Sequence, residues 1–173
     1  MKKVLSLFLT AVFMMTCLSS FAFSASAAPE IWDGKRAFAF AGGSGTKDDP
    51  WQISNGAELS YMFYIFNNGV LKEPFEETYG HDFFVLTKDI YLNDVSNYDK
   101  WDIKNRPANV WPYAPLGLGG YAFYETIDGQ GHTIYGLYQI CGGKGGGLVY
   151  GGMEGSTLQN LNLDKAMIYA ESN

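Results

Sequence analysis

The stretch Gly131–Leu163, GHTIYGLYQICGGKGGGLVYGGMEGSTLQNLNL, decides the predicted fold. Laid over itself so that Gly131 falls on Gly155, it places threonine on threonine and apolar residues on apolar residues. The other matched pairs are Thr133 with Thr157, Ile134 with Leu158 and Leu137 with Leu161. Apolar groups that recur at a fixed offset predict a chain that winds in coils, because one coil buries its apolar face only against the next.

The N-terminal stretch Met1–Ala27 has the pattern of a signal peptide. Lys2 and Lys3 give a basic start, Val4–Leu18 is an apolar run, and Ala25-Ser26-Ala27 offers small residues for cleavage. The run is shorter than the ~20 apolar residues of a membrane-spanning helix. We therefore expect residues 1–27 to be removed on export and the mature chain to be secreted, with no membrane insertion. Attachment to the cell surface would require further sequence.

The charge balance restricts the partners. Cleavage would remove Lys2 and Lys3 from a chain with 12 basic and 18 acidic residues, which leaves a net charge of −8. Nucleic acids and anionic membranes need clustered lysine and arginine, so neither is an expected partner. Cys141 is the single cysteine left after cleavage, which excludes an intrachain disulfide in the mature chain.

The clearest helix is predicted over residues 54–69. Asn55 suits the N-cap, Glu58 can complete a capping box, and Asn67-Asn68-Gly69 offers a left-handed stop. An apolar stripe at helical spacing follows, through Leu59, Met62, Phe63 and Phe66. Such an aromatic stripe needs an apolar surface, so we expect this helix to cap the N-terminal end of the stack.

Short strands are predicted in the rest of the mature chain. They are Phe38–Phe40, Trp51–Ile53, Phe83–Leu86, Ile90–Leu92, Thr126–Ile127, Thr133–Ile134 and Leu148–Tyr150. Leu158–Leu163 begins the next coil, and Ala166–Tyr169 continues it. The predicted organisation is a segment with short strands over residues 28–53, the capping helix over 54–69 and coils over 70–173. An irregular insertion at 93–115 interrupts the coils. We therefore predict an all-β fold with one helix.

Several stretches resemble exported bacterial surface proteins with pectate-lyase-like regions, including proteins that carry GLUG repeats. The similar stretches are Phe40–Thr46, Pro50–Ile53, Ala57–Leu59, Phe84–Asn93, Trp111 with Pro115–Gly117, Phe123, Thr126–Ile134, Gly136-Leu137, Gly147–Gly151 and Leu158–Leu163. Two departures are Glu125, where glycine is usual, and Val149-Tyr150, where phenylalanine is usual. The resemblance implies a short right-handed parallel β-helix of about two to three coils. It also implies a cell-surface location and no particular chemistry.

Three residues are candidates for carbohydrate chemistry, since some parallel β-helices are polysaccharide lyases or glycosidases. Asp89 and Asp128 adjoin predicted strands, and His132 could assist them. Aspartates at turns also cap backbone N–H groups, and this structural role is the alternative. We assign no catalytic residue. His81 and His132 have no partner at metal-ligand spacing, so we predict no zinc site and no cofactor. Asp48, Asp49 and Asp82 supply oxygen ligands suited to Ca²⁺, but without a calcium-loop pattern.

Four aromatic residues of the insertion are candidates for ligand contact, namely Tyr98, Trp101, Trp111 and Tyr113. Exposed aromatic rings bind sugar faces or partner proteins, whereas buried ones would shield the sheet. The function expected is a secreted or cell-surface non-catalytic module for adhesion, display or spacing, either by itself or as a piece of a longer surface protein. The alternative is the N-terminal part of a β-helix polysaccharide lyase or glycoside hydrolase. Expected partners are surface glycans, host or cell-surface proteins, and further copies of the chain, since nothing after Leu163 resembles a cap.

Overall fold

The computed structural model describes residues 28–68, 81–114, 123–142, 146–152 and 155–171. The helices in these ranges are α1 (Gly56–Asn67) and a 3₁₀ helix (Val95–Lys100). The strands are β1 (Trp51–Ile53), β2 (Phe83–Leu86), β3 (Ile90–Tyr91), β4 (Thr126–Asp128), β5 (Thr133–Tyr135), β6 (Tyr138–Gly142), β7 (Thr157–Gln159), β8 (Asn162–Asp164) and β9 (Met167–Glu171). None of the helices in the described ranges has the length and apolar character needed to cross a membrane.

The strands form three sheets in which every pair of neighbouring strands is parallel. Their orders are β1-β2-β4-β7, β3-β5-β8 and β6-β9. Within each sheet the strands lie in chain order. From β4 onward the chain visits the three sheets in turn, and the last triplet (β7, β8 and β9) pairs with the preceding triplet (β4, β5 and β6). A β-rich fold with few helices is thus confirmed.

The register contradicts the predicted repeat. Thr157 pairs with Thr126 of β4 and not with Thr133 of β5, whose partner is Asn162. The ambiguity arises because the chain contains two Thr-Ile pairs, Thr126-Ile127 and Thr133-Ile134, in neighbouring strands. The Thr157-Leu158 pattern matches both, and pairing with the first is what allows β8 to lie against β5.

Two cap residues fix the start of α1. The Asn55 side chain accepts a hydrogen bond from the Glu58 N–H at 3.0 Å, as predicted for the N-cap. Glu58 Oε2 accepts from the Ser54 N–H at 2.7 Å and from the Ser54 hydroxyl at 3.0 Å. This is one residue before the Asn55 N–H that the side chain of a capping box would bind. At the other end Asn68 has φ −111°, which is not left-handed, and Gly69 lies outside the described residues.

The apolar stripe of α1 lies on the sheets and is buried, as predicted. Its four residues are at most 5% exposed and belong to one core cluster with residues of β1, β2, β4 and β5. The buried members are Leu59, Met62, Phe63 and Phe66, together with Ile53, Phe84, Ile127 and Ile134. This burial supplies most of the stabilisation of the helix, because a helix of this length is marginal in isolation.

Two strand predictions are wrong, and one strand was missed. Phe38–Phe40 forms no strand, and Phe38 is 87% exposed. Leu148–Tyr150 contains bends and one bridge residue, although Leu148 is buried. The strand β6 was not predicted, because the polar Gln139 interrupts its apolar pattern. Gln139 is fully buried, and its amide exchanges two hydrogen bonds of 2.9 Å with the backbone of Gly147.

Candidate functional site

The strands β7, β8 and β9 are the last members of their sheets and together form one face, which we call the open edge. Among the described residues, each of the three pairs with a strand on one side only. The backbone groups on the other side of a parallel strand are free to pair with a further strand. Within the described residues, β7, β8 and β9 therefore each have one side without a paired strand.

Two leucines of the open edge are exposed, although each pairs with a buried isoleucine on the neighbouring strand. Leu158 pairs with Ile127, and the exposed fraction rises from 1% for Ile127 to 46% for Leu158. Leu163 pairs with Ile134, with exposures of 42% and 1%. Because each pair occupies neighbouring positions on the same face of a sheet, the difference reflects the position of Leu158 and Leu163 on the last strands of their sheets.

The opposite edges of the three sheets are covered by backbone. Gln52 of β1 exchanges hydrogen bonds with Ala41 and Gly42, at 3.1 and 2.9 Å. The Trp32 N–H donates to the Tyr91 carbonyl of β3 at 2.9 Å. The Tyr113 N–H donates to the Tyr138 carbonyl of β6 at 2.9 Å. The helix α1 packs on the apolar core at this N-terminal end. Because the sheet edges here have backbone partners, we call it the closed end.

Asp128 joins the last triplet of strands to the preceding turn. Its carboxylate accepts hydrogen bonds from the Gln130 N–H at 2.8 Å, the Gln159 amide at 2.9 Å and the Asn160 amide at 3.1 Å. Burial by itself would raise the pKa of Asp128, but these three donors outweigh it and lower the pKa. Asp128 is thus held ionised, which suits a structural acceptor better than a general acid.

Asp89 and His132 meet at the turn before β5. His132 Nδ1 lies 3.2 Å from Asp89 Oδ1, and the same oxygen accepts from the Thr133 N–H at 3.0 Å. Asp89 thereby caps the start of β5 from the neighbouring turn. The contacts of both candidate carboxylates favour the structural interpretation over the catalytic one.

The four candidate aromatic residues differ in exposure. Trp101 is 8% exposed and packs edge-on against Tyr98 and Tyr138, at 5.1 and 5.9 Å between ring centroids. The Tyr98 hydroxyl donates to the Ala166 carbonyl at 2.9 Å, so Tyr98 joins the 3₁₀ helix to the turn between β8 and β9. Tyr113 is 6% exposed, whereas Trp111 is 42% exposed. Only Trp111 therefore presents much of its ring to solvent.

The acids considered for a metal do not form a coordination cluster. Within the described ranges no group of three or more His, Cys, Asp or Glu residues could hold a metal ion. Asp48 and Asp49 are exposed, while burial raises the pKa of Asp82. Cys141 is buried with its thiol free.

Comparison with known proteins gives no further guide, since no protein family, curated protein or solved structure matches this chain.

Proposed function

We propose that this chain is a secreted or cell-surface, non-catalytic module, built as a short right-handed parallel β-helix, that serves in adhesion, display or spacing. In this proposal its open edge takes up a further layer of strands. The observation that carries the proposal is the exposure of Leu158 and Leu163 beside their buried partners Ile127 and Ile134. A module closed at one end and open at the other is suited to starting a longer stack.

Physical reasoning connects the open edge to association. In stacked folds each unit contacts only its neighbours, and end units need a polar face to stay soluble. The open edge has two half-exposed leucines and three strands with free pairing groups instead. In a solution of the mature chain alone, the occupant of this edge is a second copy.

We expect the purified mature chain to self-associate and the Leu158→Asp, Leu163→Asp double variant to be monomeric. Charged side chains on a strand edge oppose pairing, because joining two copies would bury carboxylates without partners. Light scattering over a range of concentrations measures the mass, and circular dichroism checks that the variant is folded.

A control is Ile140→Asp, which adds an aspartate at an apolar residue that is 53% exposed but lies on β6, the partner strand of β9, and not on the open edge. This variant should associate like the unmodified chain. A monodisperse monomer of the unmodified mature chain, or equal loss of association in both kinds of variant, would contradict the proposal.

Export rests on the N-terminal pattern of Lys2, Lys3, the apolar run and Ala25-Ser26-Ala27. We expect protein recovered from the culture medium to begin at Ala28, as measured by mass spectrometry of its N-terminal peptide. Secreted protein with Met1 or Lys2 at its terminus would show that this region is not a cleaved signal.

The alternative, part of a polysaccharide lyase or glycoside hydrolase, gains no support from its candidate residues. Asp89 and Asp128 both accept hydrogen bonds from backbone N–H groups at turns, and Asp128 has a lowered pKa. The general acid of a glycosidase has a raised pKa instead. The non-catalytic interpretation is therefore the better supported of the two.

A further inference from the structure

A cleft of about 270 Å³ lies at the closed end, away from the residues of the open edge. Its walls come from the N-terminal segment, from α1 and from the end of the insertion. The aromatic members that matter are Trp32, Tyr64 and Tyr113, and the polar ones are Arg36, Ser60 and Asn68. None of the sequence patterns singled out this set, because its members lie in three separate parts of the chain.

Arg36 is the positive group of the cleft. Its guanidinium carbon lies 3.5 Å from the centroid of the Tyr64 ring, a distance typical of a cation–π pair. Among the described residues the ion pairs are Lys35 with Asp33 and His132 with Asp89, so none involves Arg36. A guanidinium stacked by its face keeps the N–H groups along its edge for a carboxylate, which it binds with two parallel hydrogen bonds.

Tyr113 forms the buried wall of the cleft. Its ring is held edge-on by Trp32 at 5.1 Å and by Phe63 at 4.6 Å. Its buried hydroxyl has no hydrogen-bond partner in the described part of the chain, although the Ser60 side chain approaches it. Burial raises the pKa of Tyr113 well above its ordinary value, so the hydroxyl keeps its proton. Buried donors without an acceptor are rare and costly in folded proteins.

We propose that this cleft binds a saccharide that carries a carboxylate, such as a uronic or sialic acid. Arg36 would pair with the carboxylate, and the Trp32 and Tyr64 rings would contact the sugar ring. Aromatic side chains offer sugars a large contact area at a small cost in entropy. The carboxylates of an acidic peptide could also pair with Arg36. The mixed aromatic and polar walls of the cleft favour a sugar ring instead. This proposal rests on the proposed surface function in one respect, the extracellular location at which the protein would encounter the glycan.

The experiment measures binding to the mature protein by nuclear magnetic resonance, through the indole N–H signal of Trp32. The probes are 3′-sialyllactose against lactose, cellobiouronic acid against cellobiose, and an acetylated peptide with two glutamates. We expect at least one carboxylated sugar to bind saturably below about 10 mM. Its neutral counterpart should bind at least about tenfold more weakly, since it lacks the charge-assisted hydrogen bonds.

Variants assign the binding to the cleft. Arg36→Gln should weaken binding of the carboxylated sugar by about tenfold or more, and Arg36→Lys by less, because lysine keeps the charge without the planar fork. Tyr64→Ala should weaken it through loss of the ring that orients Arg36. Lys88→Gln, which removes an exposed charge outside the cleft, should change nothing.

Three results would overturn the proposal. The first is that no carboxylated sugar binds. The second is that acidic and neutral sugars bind equally, or that only the peptide binds. The third is that Arg36→Gln leaves the binding of the carboxylated sugar unchanged. Repeating the titration with the Leu158→Asp, Leu163→Asp variant keeps this test separate from the association test. Sugar binding should persist in that variant, since neither leucine lines the cleft.

Discussion

Replacing Phe84 with alanine is expected to lower the free energy of unfolding by about 3–5 kcal/mol, the range for deleting a buried phenyl ring. Phe84 lies on β2, between β1 and β4 in the four-stranded sheet, and is 0% exposed. Its ring packs against the rings of Phe40 and Phe66, at 5.5 and 5.7 Å between ring centroids. The substitution therefore leaves a cavity where α1, the N-terminal segment and the sheet meet.

Urea denaturation of the mature chain measures this loss, provided the folding transition is cooperative. The matched control is Phe38→Ala, because Phe38 is the same residue type and 87% exposed. The control should change the free energy of unfolding by no more than about 0.5 kcal/mol. Similar losses in the two variants would mean that Phe84 does not hold the core together.

The local features of the fold were predictable, because short-range physics determines them. The helix α1 follows from the Asn55 cap and from apolar residues at helical spacing, and both are within reach of one or two turns. Strands such as β2 and β5 follow from branched and aromatic residues beside turn-forming ones. Each of these signals lies within about a dozen residues of chain.

The pairing of strands was harder to predict, because it depends on which of two similar segments is the partner. Thr126-Ile127 and Thr133-Ile134 are chemically identical, so Thr157-Leu158 carries no local information that distinguishes them. The choice is made by the whole last triplet of strands, since β7, β8 and β9 must all pair at once. One apolar pattern taken alone therefore gave the wrong offset.

The aromatic residues of the insertion illustrate the same limit. Trp101, Trp111 and Tyr113 look alike in sequence as candidates for ligand contact, yet Trp101 and Tyr113 are buried and Trp111 is exposed. Their burial depends on partners such as Tyr138 and Trp32, far away in the chain. The cleft around Arg36 was missed for the same reason, because a cation–π pair leaves no periodic signal.

Replacing Asn93 with alanine is expected to lower the free energy of unfolding by about 2–4 kcal/mol, because it removes three hydrogen bonds at a buried position. Asn93 is 1% exposed. Its Nδ2 donates to the Gly136 carbonyl at 2.8 Å and to the Trp111 carbonyl at 3.0 Å. Its Oδ1 accepts from the Trp111 N–H at 2.6 Å. One side chain thus joins both ends of the insertion to the turn after β5.

Urea denaturation measures the loss, and hydrogen exchange of the Trp111 amide, which should become faster, locates it. The control is Asn97→Ala, since Asn97 is exposed and its amide donates only to the Ser96 hydroxyl among the described contacts, at 3.2 Å. Asn93→Asp should also destabilise the fold at neutral pH, because a carboxylate keeps the acceptor but offers no donor to the two carbonyls.

Release of Trp111 would loosen Tyr113, two residues further along the chain, which covers the edge of β6 and lines the cleft. Asn93→Ala should therefore weaken sugar binding as well, whereas unchanged stability and unchanged Trp111 exchange would show that the insertion is held by other contacts.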